Sequence, residues 1–124
     1  MKLENFEIPK NLKSIQDEAF GECCSITEIV IPDSVSKFGS RVFLNCVLLK
    51  NVSIPSSIKT IPQSAFMECR SLANVTISDG ITMIDNGAFR GCKKLKTLII
   101  PNSVNEIGKY AFYKCLSLTE VAIP

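Results

Sequence analysis

The sequence repeats itself every 23 residues, with no insertion or deletion from Ile8 to Pro124. Three columns of the repeat hold one residue type throughout: Phe20, Phe43, Phe66, Phe89 and Phe112; Cys23, Cys46, Cys69, Cys92 and Cys115; and Ile8, Ile31, Ile54, Ile77, Ile100 and Ile123. Repetition at a fixed period of this length is the signature of stacked-repeat architectures. We divide the chain into five units of a single domain, residues 8–30, 31–53, 54–76, 77–99 and 100–124.

The apolar pattern within a unit predicts its local structure. Val121 and Ile123 flank one outward residue, which is strand spacing, and the Pro after the last Ile ends the strand because it has no N–H to donate. The V-x-x-I segment that follows predicts a second short extended piece or tight turn. Ala, Phe and Cys in A-F-x-x-C lie at helical offsets and predict one turn of α or 3₁₀ helix. Since a single unit cannot bury its own apolar face, the units are expected to stack into a solenoid.

The repeat also resembles a known family. L-x-x-V-x-I looks like the L-x-x-L-x-L strand of leucine-rich repeats, and the whole motif, I-P-x-S-V-x-x-I-x-x-x-A-F-x-x-C, is similar to the BspA-like subfamily. The resemblance covers residues 6–124, and the unit from Ile100 to Cys115 matches almost letter for letter. It implies an α/β repeat solenoid with a parallel β-sheet on the concave face and short 3₁₀ or helical turns and extended pieces on the convex side. It further implies a surface-associated protein of the kind found in anaerobic bacteria and parasitic protists, which adheres to host or cell-surface proteins.

The sequence lacks the residues that several kinds of catalytic, metal-binding and phosphate-binding site require. The chain contains no His, which removes Ser-His and Cys-His catalytic pairs and Cys/His zinc sites, and its six scattered Gly form no phosphate-binding loop. A carboxylate pair such as Glu28 and Glu120 would lie four repeats apart, about 19 Å at strand spacing, too far for paired carboxylate catalysis. We therefore predict that the chain is not an enzyme and binds no cofactor or metal.

The sequence offers few clues to location. No apolar run reaches the length of a membrane span, and residues Met1 to Lys10 lack the apolar stretch of a signal peptide. These features predict no membrane insertion and, by default, a cytoplasmic location, whereas the resemblance implies the cell surface.

The cysteines are predicted to be structural. Five of the six occupy one column, so their side chains point inward in parallel and do not converge as disulfide geometry requires. We predict a ladder of buried free thiols that act as small apolar fillers, which favours a reducing compartment. Cys24 lies outside the column and is the candidate for a reactive, exposed thiol.

Two outward-facing columns on the predicted strands form the candidate partner-binding surface. One is small and mostly uncharged and the other is polar: Val30, Ser53, Thr76, Ile99 and Ala122; and Glu28, Asn51, Asn74, Thr97 and Glu120. Such a surface suits an extended partner or another protein face. The alternative is that these residues are present because a sheet favours them.

Charge suggests further contacts. Arg90, Lys93, Lys94 and Lys96 form a possible basic patch for an acidic partner, or a solvated edge of the solenoid. The patch has no interleaved aromatic residues, and the net charge is only +2, so we predict no nucleic-acid partner.

The two parts of the chain differ in charge. Residues 1–33 carry three Lys against seven Asp and Glu, and residues 34–124 carry eleven Lys and Arg against five acidic residues. A solenoid needs polar caps, and the sequence shows none after the last strand, so we expect either a fragment, a homodimer or an end-to-end oligomer. The predicted function is a non-enzymatic protein-interaction or adhesion module. The alternative is a structural spacer or self-assembling repeat segment without a dedicated ligand.

Overall fold

The computed structural model describes residues 7–22 and 25–122, which form a parallel-strand solenoid. The main sheet contains one strand from each unit: β2 (Glu28–Val30), β4 (Asn51–Ile54), β6 (Asn74–Ile77), β8 (Thr97–Ile99) and β10 (Glu120–Ala122). The shorter strands form a second ladder, which is divided between β3 and β5: β1 (Ser14–Ile15), β3 (Lys37–Phe38), β5 (Thr60–Ile61), β7 (Met83–Ile84) and β9 (Glu106–Ile107). Each strand is therefore followed by its counterpart one turn of the solenoid later.

The register between neighbouring strands equals the sequence period. Val52 of β4 pairs with Ile29 of β2 and with Val75 of β6, and Ile84 of β7 pairs with Ile61 and Ile107 in the same way. Every such pair is 23 residues apart. The apolar columns of the sequence thus become continuous ridges inside the coil, as the repeat predicts.

The main sheet is interrupted once, which the sequence did not predict. β2, β4 and β6 form one parallel sheet, and β8 and β10 form another. β6 and β8 lie side by side, yet no ladder pair joins them. We call this place the β6–β8 junction. Val75 of β6 is only half-buried there, whereas Val52 and Leu98 at the equivalent positions are buried.

The predicted helical turns are absent from the described part of the chain, where turns take their place. Five-residue segments form this third side of the coil, the turn arc: residues 18–22, 41–45, 64–68, 87–91 and 110–114. The first and last residue of each segment has a positive φ, as in Glu18 at 59° and Glu22 at 60°. This left-handed backbone is why no helix forms.

Left-handed residues direct every second N–H of the turn arc towards the following repeat. Arg41, Phe43 and Asn45 donate to the carbonyls of Gln63, Ala65 and Met67 at 3.1, 2.8 and 2.9 Å. The N–H of Leu44 donates to the carbonyl of Arg41 at 3.2 Å and closes a tight turn within the segment. The backbone polar groups of the arc are therefore satisfied between repeats instead of along a helix.

The core lies between the three sides. A stack of phenylalanine rings runs through it, with Phe43, Phe66 and Phe89 fully buried and ring centroids 5.3 and 5.4 Å apart. Isoleucine and leucine columns from the main sheet and the second ladder fill the remaining space. Because each unit contributes the same set of apolar side chains, the core has the same composition from one repeat to the next.

Candidate functional site

The outer face of the main sheet brings the two predicted columns into line. Glu28, Asn51 and Asn74 are register partners, and Val30, Ser53 and Thr76 follow the same register two residues later. Thr97 and Ile99 continue the columns on β8, where their partners are Glu120 and Ala122 of β10. The backbone of Glu120 and Ala122 belongs to β10, and their side chains lie outside the described residues.

The polar column is connected by hydrogen bonds. Nδ2 of Asn74 donates to Oδ1 of Asn51 at 2.7 Å, and Nδ2 of Asn51 donates to Oε1 of Glu28 at 3.3 Å. The chain of donors therefore runs in one direction, from Asn74 to the carboxylate of Glu28. Amide groups held by their neighbours lose less conformational entropy when a partner binds.

The second column is apolar at the two positions that flank its polar middle. Val30 is 73% exposed and Ile99 is 68% exposed, and Ser53 and Thr76 lie between them. A parallel sheet is normally covered on both faces. Here the outer face is uncovered, and it exposes Val30 and Ile99 near the hydrogen-bonded amides of Asn51 and Asn74. A shallow depression of about 360 Å³ lies over β2, β4 and β6.

Two further depressions meet at the β6–β8 junction. One lies on the sheet face, and its lining includes the apolar Val75, Ile77 and Ile99. The other lies at the margin of the sheet where β6 and β8 begin, and we call it the basic depression. It measures about 580 Å³ and is lined by Ala73, Asn74, Lys94, Lys96, Thr97 and Ser117. Asn74 and Thr97 line both depressions, so the two are adjacent.

The predicted basic patch divides into parts with different surroundings. The guanidinium carbon of Arg90 lies 5.0 Å from the ring centroid of Tyr113 and 5.7 Å from that of Tyr110, on the turn arc. Lys94 and Lys96 instead line the basic depression, and Lys93 is exposed beside them. The tyrosines and Ser117 were not anticipated from the sequence. The signal in the sequence for the Arg90 contact is that Tyr113 lies one repeat, 23 residues, after it.

The column cysteines are free thiols, as predicted for those that the structure describes. Cys46, Cys69 and Cys92 are buried, and Cys115 is half-buried. Each thiol donates to the carbonyl of the Phe in the preceding repeat, as Cys69 does to Phe43 at 3.2 Å. Burial raises the pKa of Cys69 and Cys92 well above the ordinary range and that of Cys115 to about 11. Cys24, the candidate reactive thiol, and Cys23 lie outside the described residues.

Within residues 7–22 and 25–122, no group of three or more Cys, Asp or Glu is placed to hold a metal ion. No helix in this part of the chain has the length and hydrophobicity needed to cross a membrane. The arrangement that remains is an ordered, exposed sheet face with a basic edge.

Comparisons with known proteins agree with this architecture. A family model described as "BspA type Leucine rich repeat region" matches six copies over residues 1–124. The Ile column also has six members, so the copy number depends on how the first and last units are counted. No curated protein matches the chain.

Solved structures of bacterial repeat proteins superpose closely on the chain. A leucine-rich cell surface protein from Faecalibacterium prausnitzii is 36% identical with a TM-score of 0.93, and the match covers 98% of this chain and 32% of that one. A leucine-rich repeat protein from Bacteroides ovatus is 35% identical with a TM-score of 0.89, over 95% of this chain and 33% of that one. The leucine-rich repeat protein of T. pallidum is 29% identical with a TM-score of 0.93, over 99% and 59%. The chain thus spans about a third to three-fifths of the length of these proteins.

Proposed function

Because the chain belongs to the BspA-type leucine-rich repeat family, we propose that it is a non-enzymatic module that binds a protein partner through the outer face of its main sheet. Members of this family are commonly surface proteins and protein-interaction modules. The proposal concerns these 124 residues, which span only part of the length of their solved relatives.

The main observation in support of this proposal is that the outer face of the parallel main sheet is uncovered. Its exposed side chains are fixed in line by the 23-residue register, and the amides of Asn51 and Asn74 are ordered by hydrogen bonds. Val30 and Ile99 add exposed apolar contacts. Binding to a face that is already ordered costs little conformational entropy, so a modest contact area can yield useful affinity.

On the same premise, we also propose that the protein lies at the cell surface. The support is that the Faecalibacterium prausnitzii relative is described as a cell surface protein. Treatment of intact source cells with a protease, followed by immunodetection of this segment, tests the location. Loss of the segment while a cytoplasmic marker survives is the expected result, and equal survival of both would contradict it.

Capture of partners by matched variants tests the binding function. Ser53→Lys with Thr76→Lys places two long cations on the sheet face, where both residues are exposed. Ser36→Lys with Gln63→Lys makes the same change at exposed positions away from the main sheet. We expect a protein retained by the wild type and by the second variant to be lost from the first, with unchanged circular dichroism in all three.

A contrary outcome of this capture experiment has a clear meaning. If both variants retain the same proteins as the wild type, or if no protein is retained above a blank resin, the sheet face is not a binding surface. The chain would then be better described as a structural spacer.

A further inference from the structure

The β6–β8 junction differs from the other strand contacts of the main sheet. β4 pairs with β6 at four positions and β10 pairs with β8 at three, but the described residues show no ladder pair between β6 and β8. Both depressions that share Asn74 and Thr97 lie at this place. The junction therefore combines a recess in the sheet face with a recess at the sheet edge.

The charged residues on either side of β8 in the sequence are all positive. The sequence contains no Asp or Glu from Asn86 to Asn105, a stretch that includes Arg90, Lys93, Lys94 and Lys96. Neither Lys94 nor Lys96 forms an ion pair with a carboxylate whose side chain the structure describes, a set that does not include Glu120. Glu68, in the preceding repeat, pairs with Arg70 at 3.3 Å. The lining of the depression thus includes two ammonium groups and no carboxylate among the side chains that the structure describes.

Uncharged donors complete the lining of the basic depression. Ser117 and Thr97 contribute hydroxyls, and the amide nitrogen of Asn74 is already engaged by Asn51. Ammonium and hydroxyl groups together match the acceptor-only chemistry of an ionised carboxylate. The adjoining depression offers Val75, Ile77 and Ile99, which suit an aliphatic or aromatic side chain.

We propose that the β6–β8 junction binds an acidic-apolar segment of a polypeptide, with an Asp or Glu carboxylate in the basic depression and a neighbouring apolar side chain against Ile99. This inference rests on the proposed function, because it specifies the chemistry of a partner for the same sheet face. A polypeptide is favoured over a sulfated glycan or a nucleic acid because the apolar recess beside the two lysines has no counterpart in a purely anionic chain.

A titration monitored by nuclear magnetic resonance tests the junction directly. The isotope-labelled chain is mixed with a short synthetic peptide that contains Glu-Glu-Leu, with the matching Gln-Gln-Leu peptide, and with a heparin-derived oligosaccharide. We expect the Glu-Glu-Leu peptide to shift the amide signals of Asn74, Lys94, Lys96, Thr97 and Ser117. The Gln-Gln-Leu peptide should bind about tenfold more weakly or not at all, and added salt should weaken the interaction.

Charge-reversal variants locate the binding to the depression. K94E with K96E should abolish the shifts, and K13E with K37E, which reverses two exposed lysines near the second ladder, should leave them unchanged. Absence of shifts, equal shifts with both peptides, or unchanged shifts in K94E/K96E would overturn the proposal. Stronger binding of the oligosaccharide at the same residues would also overturn it, in favour of a general polyanion site.

The titration and the capture experiment test different claims, so a negative result in one does not decide the other. A partner that is lost from the S53K/T76K variant while the acidic peptide causes no shift would leave the binding function intact and remove only the acidic-apolar specificity. The salt dependence needs no substitution, so it remains informative if K94E/K96E does not fold.

Discussion

The side-chain oxygen of Asp17 accepts a hydrogen bond from the backbone N–H of Ser40, 2.9 Å away and 23 residues further along the chain. Gly39 makes this possible, because a Cβ at Gly39 would lie 2.5 Å from that oxygen and 2.6 Å from the carbonyl carbon of Gln16. Asn86 and Lys109 repeat the contact at 2.8 Å, with Gly108 in the place of Gly39. An Asp or Asn in one repeat is therefore matched to a Gly in the next.

Gly39→Ala is expected to destabilise the fold by about 1–3 kcal/mol, because the added methyl group meets backbone atoms that cannot move independently. Gly87→Ser is the matched control. Gly87 has a φ of 62°, which a side chain adopts at some cost in backbone strain, but Ser64 holds the same position one repeat earlier at 55°. A Cβ at Gly87 would meet no atom closer than 3.5 Å, so the loss should be smaller than for Gly39→Ala. Urea denaturation followed by circular dichroism measures both, and equal midpoints for the two variants would contradict this reading.

Cys69→Ala should cost about 1–2 kcal/mol, since it removes a fully buried sulfur and the thiol donor to the Phe43 carbonyl. Cys115→Ala should cost less, because Cys115 is only half-buried although it makes the same contact with Phe89. The difference between the two denaturation midpoints is the measurement. A larger loss for Cys115→Ala would mean that the cysteine column does not act as core packing.

Stability is expected to fall in alkaline solution. Burial raises the pKa of Cys115 to about 11 from its ordinary value of 9.0, and the pKa values of Cys69 and Cys92 rise in the same direction. The folded state thus holds these protons more tightly than the unfolded state, so their contribution is complete below pH 9 and is lost as the pH rises through 11. Denaturation midpoints between pH 8 and pH 11 should decline less steeply in Cys115→Ala than in the wild type. Parallel curves would contradict the assignment.

Phe66→Ala should be among the most damaging single changes, with a cost of about 3–5 kcal/mol. The Phe66 ring is fully buried and stacks on both Phe43 and Phe89, whereas Phe112 is half-buried and stacks 5.8 Å from Phe89. Phe112→Ala is therefore expected to be milder. Calorimetry of the two variants gives the comparison, and a milder effect at Phe66 would show that the ring stack is not the main contribution to the core.

Self-association stays a prediction from charge. Residues 1–33 have a net charge of −4 and residues 34–124 have a net charge of +6, which favours head-to-tail contact between copies. Sedimentation at low and high salt tests it, with dissociation expected as salt screens the charges. A monodisperse monomer at high concentration and low salt would contradict it.

The sequence alone predicted the features that depend on side-chain periodicity. The Phe, Ile and Cys columns define the core, and their spacing sets the register that places Val52 beside Ile29. The outward columns of the main sheet followed from the same alternation. These features were accessible because apolar burial and strand pairing both act at every repeat in the same way.

Features that depend on backbone conformation were not accessible. The first left-handed position of each turn-arc segment holds a different residue type: Glu18, Arg41, Ser64, Gly87 and Tyr110. The sequence therefore offered no sign of this conformation, and the A-F-x-x-C spacing suggested a helix instead. The unpaired β6–β8 junction likewise has no signature, since Asn74, Thr97 and their neighbours conform to the repeat. The contact of Arg90 with two tyrosines required knowledge of how residues one repeat apart face each other.

The constant register has an evolutionary consequence. Because three equivalent backbone hydrogen bonds join each turn-arc segment to the next, a repeat can be copied or deleted in frame without changes to its neighbours. Each duplication would lengthen the sheet by one strand, about 4.8 Å. Recombination within the gene is thereby a direct means of adjusting how far such a protein reaches, and each added strand brings two fresh outward positions on which selection can act.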